Sequence, residues 1–409
     1  MNWLHFILFS LCFILSICST SSFYVDRPCG SDLSNMWLDI VVLVDTSVHM
    51  RTDDMTQAAA NMMAVLSNGT RIGTDPSQPK TTRVSLITYN ATSTVVGDLN
   101  KFQSFEELYN GVFGAMSVAP QGDASDLSTA LAAAWTVFVN GGVFQYRANY
   151  RRVVIVYTAF YDNRFDGIGS AIQLKNQDIT IITVGFQLDE DPVTREYLTA
   201  VASPSLSFNL VRNDMEVVAE IQKGLLFSEN CANCYCPGDT IIWNPRAVNH
   251  WRQYTPNNSK RGVCLQPIIR PTNWRAARLN CQNLFPNAYM LNEYNQEKHD
   301  FVWNLVQIWH GFSVPYVYHT GLFFNNGVWM WDQPQGWLNP PLQNWTNWDT
   351  GFPASSSSMS VAQNIQKGNG AVWRNVAALV NSAGYVCEMA ACDTDNYCKY
   401  QPDNCTTCY

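Results

Sequence analysis

IVVLVDTSVHM, residues 40–50, sets five apolar residues in a row ahead of Asp45 and then the short polar loop Thr46, Ser47, Val48, His49. An uninterrupted Val/Ile/Leu run bounded by polar residues reads as a strand buried on both faces. The same texture recurs at Leu38–Asp45, Arg83–Tyr89, Arg152–Thr158, Ile179–Phe186 and Leu206–Val211. Between these runs lie helical stretches at Asp54–Ser67, Ser128–Val139, Gly169–Asn176, Val193–Val201 and Met215–Leu226. In the first of these, Met55, Ala58, Met62 and Leu66 recur near a 3.6-residue period. Strands alternating with helices predict a doubly wound, Rossmann-like α/β domain. Ligands on that architecture sit at the carboxyl ends of strands, and Asp45 stands at such an end.

After Cys234 the texture changes. Trp, Pro and Asn become frequent and strands shorten. Two helices are readable there, Asn273–Leu284 and Glu293–Trp309. We therefore expect a second, α+β domain over 234–390 and a Cys-rich tail over 391–409, behind a first domain over 36–228. A length of 409 residues suits two cores. Net charge is −8, and no run of Lys or Arg is longer than a pair such as Arg151–Arg152, so the footprint of a nucleic-acid binder is missing.

Residues 1–20 read as a secretory signal: the apolar run Trp3 to Ile17 is short for a membrane span and is followed by small residues. No second long apolar run follows, so no membrane span is expected, and the protein is expected to be secreted and extracellular. Five sequons, at Asn68, Asn90, Asn257, Asn344 and Asn404, predict glycosylated exposed loops. Of 13 cysteines, Cys12 and Cys18 fall in the signal. In a secreted chain the other 11 are expected in structural disulfides rather than in zinc sites, Cys29 and Cys231 among them. Eleven is odd, so either one thiol pairs with another chain in a disulfide-linked oligomer or cleavage falls before Cys18.

The segment from about Asp39 to Leu226 resembles a von Willebrand factor A domain, through its strand order and the loop after the first strand. That resemblance implies a loop of the form Asp-x-Ser-x-Ser, a Thr on a second loop and an Asp on a third, together holding Mg2+ or Mn2+. Here Asp45 and Ser47 match, but His49 replaces the second Ser, and Ser125 stands for the Thr. The third loop reads Thr158-Ala159-Phe160, without the carboxylate. A small hard cation wants an octahedral shell of oxygens with carboxylates among them. One carboxylate and two hydroxyls fall short of that, so Asp45 and Ser47 are expected to cap the neighbouring helix or to satisfy loop amides. No cofactor is expected, and Mg2+ at Asp45 is the one remaining candidate.

Cys264 to Cys387 resembles a C-type lectin-like domain, through WRAARLNCQNL around Cys281, the stretch Thr320–Trp331, NWDTGFP at Asn347–Pro353, AVWRNV at Ala371–Val376, and YVCEM ending around Cys387. The resemblance implies disulfides Cys281–Cys387 and Cys236–Cys264. It also implies a calcium-held sugar site at a Glu-Pro-Asn or Gln-Pro-Asp triplet and a Trp-Asn-Asp triplet. Here these read Phe352-Pro353-Ala354 and Trp373-Arg374-Asn375, which removes both oxygen ligands around Pro353 and puts a cation beside Asn375. Sugar binding through that calcium site is therefore not expected. Trp337, Trp345 and Trp348 remain candidates to stack on sugar or anchor a protein, while Trp329 and Trp348 suit the core better.

The six histidines show no HExxH spacing, and GxSxG and phosphate-gripping glycine loops are missing, so no catalytic residues are assigned. Two readings follow. One is a recognition protein for glycan or for microbial and other extracellular surfaces, which the resemblance links to host defence. The other is an extracellular scaffold glycoprotein that binds protein partners through its first domain.

Overall fold

The computed structural model describes residues 26–67, 69–75, 77–143, 147–211, 215–226, 232–237, 251–356 and 358–399. The chain divides into two compact units, one of residues 28–262 and 391–409, the other of residues up to 27 and 263–390.

In the first unit the expected alternation is present: β1 (Leu38–Asp45), α1 (Thr52–Val65), β2 (Arg83–Tyr89), β3 (Ser93–Gly97), α2 (Phe105–Met116), α3 (Leu127–Asn140), β4 (Arg151–Thr158), α4 (Ile168–Lys175), β5 (Ile179–Phe186), α5 (Pro192–Val201), β6 (Ser207–Leu210) and α6 (Met215–Leu226). The sheet runs β3-β2-β1-β4-β5-β6, parallel except for β3. Every residue of β1 is buried because helices cover both faces. Ile40, Val42 and Val44 meet α1, α2 and α6, whereas Val41 and Leu43 meet α3, α4 and α5. The alternation of side chains along one strand thus supplies two cores.

Two elements escaped the sequence reading. Antiparallel β3 is short and largely exposed, so it carries no apolar run. Helix α2 contains Gly111 and Gly114, which lower helix propensity. Its start is nevertheless marked: Ser104 Oγ accepts from the Glu107 amide, and the Glu107 carboxylate accepts from the Gln103 amide.

The two-residue strand β7 (Cys234–Tyr235) belongs to this unit, as does the two-residue strand β8 (Arg252–Gln253). β7 pairs antiparallel with β16 (Cys392–Asp393). Residues 234–237, 251–262 and 391–399, expected in the second domain and in a separate tail, therefore lie in the first unit. Three contacts explain this. Cys29 is bonded to Cys234. Trp37 Nε1 donates to the Asp393 carbonyl at 2.9 Å. The Trp37 ring lies 4.8 Å from that of Tyr397. At Gly30, whose amide donates to Asp393 Oδ2, an added Cβ would sit 2.4 Å from Thr394 Oγ1, so only glycine fits.

The second unit contains β9 (Val263–Asn273), α7 (Trp274–Leu284), β10 (Tyr289–Met290), α8 (Gln296–Ile308), β11 (Val317–Asn325), β12 (Val328–Trp331), β13 (Val361–Lys367), β14 (Gly370–Val376) and β15 (Ser382–Ala390). The strands pair in the order β14-β13-β11-β15-β9, with β10 on β15 and β12 on β11. Cys281 on α7 is bonded to Cys387 on β15. Gly321 lies where a Cβ would meet the Met290 and Leu291 carbonyls at 2.8 Å. Leu322, Trp331, Ala362 and Trp373 form a core, with Trp329, Trp345 and Trp348, the last two from the long loop between β12 and β13, packed on it. The buried Lys298 ammonium pairs with Asp26 and, at 3.0 Å, with Glu388.

Candidate functional site

Two loop clusters gather the residues singled out in the sequence. At the first, β1 and β4 are in register with Val44 opposite Tyr157, which sets Thr158 beside Asp45. Asp45 is buried and accepts three hydrogen bonds: Oδ1 from the Ser47 amide, and Oδ2 from the hydroxyls of Ser125 and Thr158, all at 2.8 Å. Burial raises its pKa above the usual carboxylate value, against the opposing pull of these donors. Neither Asp45 nor Ser47 caps the next helix; α1 starts after Arg51, whose backbone and side chain both bond Asp54. Ser47 Oγ and Tyr89 Oη are buried in this corner beside Asp45.

The rim residues bond one another. His49 stacks on Phe160 at 3.8 Å, and its Nε2 bonds the Asp123 carbonyl at 3.2 Å. Asp126 is spent on the first turn of α3, where it accepts from the Thr129 amide. Asp162 accepts from the Ser125 amide at 3.1 Å and is gripped by Arg164, Nε to Oδ1 at 2.8 Å and Nη2 to Oδ2 at 2.7 Å. Thus Asp45, Ser47 and Ser125 do come together, but Asp45 is the only one of the adjoining carboxylates without a guanidinium or a helix start to serve. That donor set, with His49 and Ala159 at two ligand positions, is poor for a hard divalent ion. Among the described residues, no cluster of three or more His, Cys, Asp or Glu side chains is arranged to hold a metal.

At the second cluster, Trp373 is wholly buried and donates through Nε1 to Glu293 at 2.7 Å. Glu293 also bonds His299 and Asn364. Burial alone would raise the Glu293 pKa, but the His299 ring together with the Trp373 and Asn364 donors outweighs it and holds the carboxyl below its usual value. Asn375 spends its amide on the long loop: Oδ1 accepts from the Ala354 amide at 2.7 Å, and Nδ2 donates to the carbonyls of Ala354 and Met359 at 2.9 and 3.0 Å. Pro353 lies between Phe352 and that anchored Ala354. Beside them Asp349 is bonded by Lys367 at Oδ1 and by Arg374 at Oδ2, the latter at 2.8 and 2.7 Å. Hydrogen bonds from Lys367 first, and then Arg374, hold its pKa at about 2. Of the Trp373-Arg374-Asn375 triplet, Arg374 is thus engaged by Asp349 and Asn375 by the Ala354 and Met359 backbone. Trp337 and Leu338 project nearby in sequence, 64% and 83% exposed.

Sequence reasoning missed Thr158, the Asp162–Arg164 fork and the Lys367–Asp349–Arg374 group. Thr158 was findable from strand ends, since parallel neighbours of equal length finish together. The ion pairs join residues far apart in sequence or two apart on a loop, and neither has a periodic signature.

Cys29 pairs with Cys234, and Cys392 with Cys398; Cys231, Cys405 and Cys408 lie outside the described residues. Cys236 and Cys264 are each disulfide-bonded. Asn257 and Asn344 are exposed, whereas Asn90 is half-buried, its Nδ2 donating to the Gln121 carbonyl. Asn68, Asn404 and the expected signal lie outside the described residues. Among the described residues no helix is long and apolar enough to cross a membrane.

Residues 39–224 match the von Willebrand factor type A domain family. C-type lectin domain-containing protein 160 of Caenorhabditis elegans is 24% identical over 387 residues, covering 91% of this chain and 56% of that protein. The chain therefore spans about half the length of the curated relative it matches. Proximal thread matrix protein 1 from the mussel byssus is similar over 48% of this chain and 47% of its own, at 15% identity and a TM-score of 0.36. Human lithostathine is similar over 34% of this chain and 96% of its own, at 20% identity and a TM-score of 0.28. The chain combines a von Willebrand factor type A domain with a C-type lectin-like domain.

Proposed function

We propose that the protein is a secreted, non-enzymatic recognition protein that binds glycan or microbial and other extracellular surface ligands without a resident divalent ion, in host defence. Domains of these two types point to an extracellular recognition or binding protein. The observation that carries the finer reading is the engagement of Asp349 by Lys367 and Arg374 together with the burial of Asn375, which leave few anionic oxygens for calcium. Exposed Trp337 offers an aromatic face of the kind that stacks on sugar rings.

A glycan and microbial-surface array, run with calcium and with EDTA, tests this. Binding that persists in EDTA and falls when Trp337 is changed to Ala supports the reading. Sugar binding abolished by EDTA overturns its metal-free part. Silence on every glycan, together with capture of an extracellular matrix protein, overturns it in favour of the scaffold role.

A further inference from the structure

We propose that the Lys367–Asp349–Arg374 group of the lectin-like unit is an anion-binding site, and that the glycan it takes carries a sulfate or carboxylate group. The inference rests on the metal-free reading above and names the class of sugar recognised.

In the hairpin of β13 and β14, Arg374 stands opposite Gln363, four residues before Lys367, so Lys367 and Arg374 emerge on one face. Both reach the same carboxylate. Lys367 bonds Asp349 Oδ1, while Arg374 sets Nε and Nη2 on Oδ2 at 2.8 and 2.7 Å. The Thr350 amide adds a bond to Oδ1 at 2.8 Å. The main chain fixes Asp349 in turn: its amide donates to the Trp373 carbonyl and its carbonyl accepts from the Phe352 amide, both at 2.9 Å. With its oxygens filled, Asp349 is a fixed counter-ion that holds two cations side by side. One negative charge against two positive leaves the group a surplus positive charge, which favours a second anion.

Donors remain to meet that anion. A guanidinium has five N–H groups and an ammonium three. Asp349 takes two from Arg374 and one from Lys367, and neither side chain makes another hydrogen bond among the described residues. Arg374 also lies over the Phe352 ring, 5.5 Å from its centre, which steadies the guanidinium. The Lys367 and Arg374 side chains are 54% and 38% exposed. An added Cβ at Gly351, Gly368 or Gly370 would meet nothing within 4 Å, so the chain around the group is open to solvent. Exposed Thr350 brings a neutral hydroxyl to the same rim. Arg and Lys grip sulfate and carboxylate through charge-assisted hydrogen bonds. Because Asp349 has already ordered both side chains, little further freedom is lost when the ligand arrives. A neutral sugar offers the surplus charge nothing.

The test is a glycan array in EDTA that sets each neutral glycan beside its sulfated and its sialylated form, probed with the full chain. The sulfated form, the sialylated form or both should be retained about tenfold more than the neutral partner. Retention of the sulfated form alone assigns the site to sulfate, and of the sialylated form alone to carboxylate. The preference should shrink as NaCl rises from about 0.05 to about 0.5 M, since the cations are exposed and salt screens them. Arg374→Gln and Lys367→Gln should each remove most of the preference. Asp349→Asn, which takes away the counter-ion and keeps both cations, should strengthen it, whereas a purely structural ion pair would give no gain. The comparison on the native chain decides the matter even where a variant fails to fold. Equal retention of neutral and anionic forms overturns the inference and leaves the metal-free reading standing. So does an anionic preference that survives both Gln changes. Retention that needs calcium overturns the metal-free reading, and silence on every glycan overturns both.

Discussion

His319 on β11 is a buried neutral imidazole: Nε2 donates to the Thr272 carbonyl at 3.0 Å, and Nδ1 accepts from Gln363 at 3.3 Å. Burial pulls its pKa down to about 4. Because the folded value lies below the unfolded one of about 6.5, stability from this residue is full above pH ~6.5. It drains as pH falls toward 4, since the unfolded chain takes the proton first. The loss is on the order of 3 kcal/mol once both states are protonated. Urea midpoints measured from pH 7 to pH 4 should fall more steeply for the native protein than for His319→Gln. Equal slopes would mean the ring is not held neutral. Asp45 shows what was legible at this scale. Its place at a strand end could be read from IVVLVD, but its three donors come from residues 2, 80 and 113 positions away. No local pattern announces such partners.

At the scale of elements, the Cys281–Cys387 bond staples α7 to β15 across 106 residues. On a chain-entropy account the bond contributes about 4–5 kcal/mol, so changing both cysteines to Ala should lower the unfolding free energy of the lectin-like unit by about that amount and its denaturation midpoint with it. An unchanged midpoint would show that the staple adds nothing to the packing of Trp274, Trp331 and Trp373. The strands of the A-type sheet were legible because burial on both faces demands continuous apolar runs. Edge strand β3 and helix α2 were not, since half-exposed or glycine-bearing elements draw their stability from neighbours rather than from their own pattern.

For the whole molecule, two units with separate cores predict unfolding that is not a single two-state step. Calorimetry should give a van't Hoff enthalpy below the measured one, and the double Cys→Ala change should shift only the component of the lectin-like unit. A single transition with equal enthalpies would show the units to be thermodynamically inseparable. Domain limits were only partly readable. A change of texture after Cys234 marked a boundary, yet the chain around Cys234 and the stretch from Cys392 return to the A-type unit through a disulfide, a two-strand pairing and the Trp37 cage.

Sequence alone determined the two fold types, the position of Asp45 at a strand end, the Cys281–Cys387 pairing, and the departure from the metal-binding patterns at His49, Ala159, Ala354 and Arg374. The strands, the helices and the place of Asp45 follow from apolar periodicity, which is local; the lectin-like fold, the Cys281–Cys387 pairing and the departures from the metal patterns rest on the resemblance to the two families. Tertiary structure alone decided that Arg164 forks Asp162, that Lys367 and Arg374 share Asp349, and that Cys29 meets Cys234. Charge pairing and disulfide choice depend on distance in space, and spacing along the chain does not fix that distance.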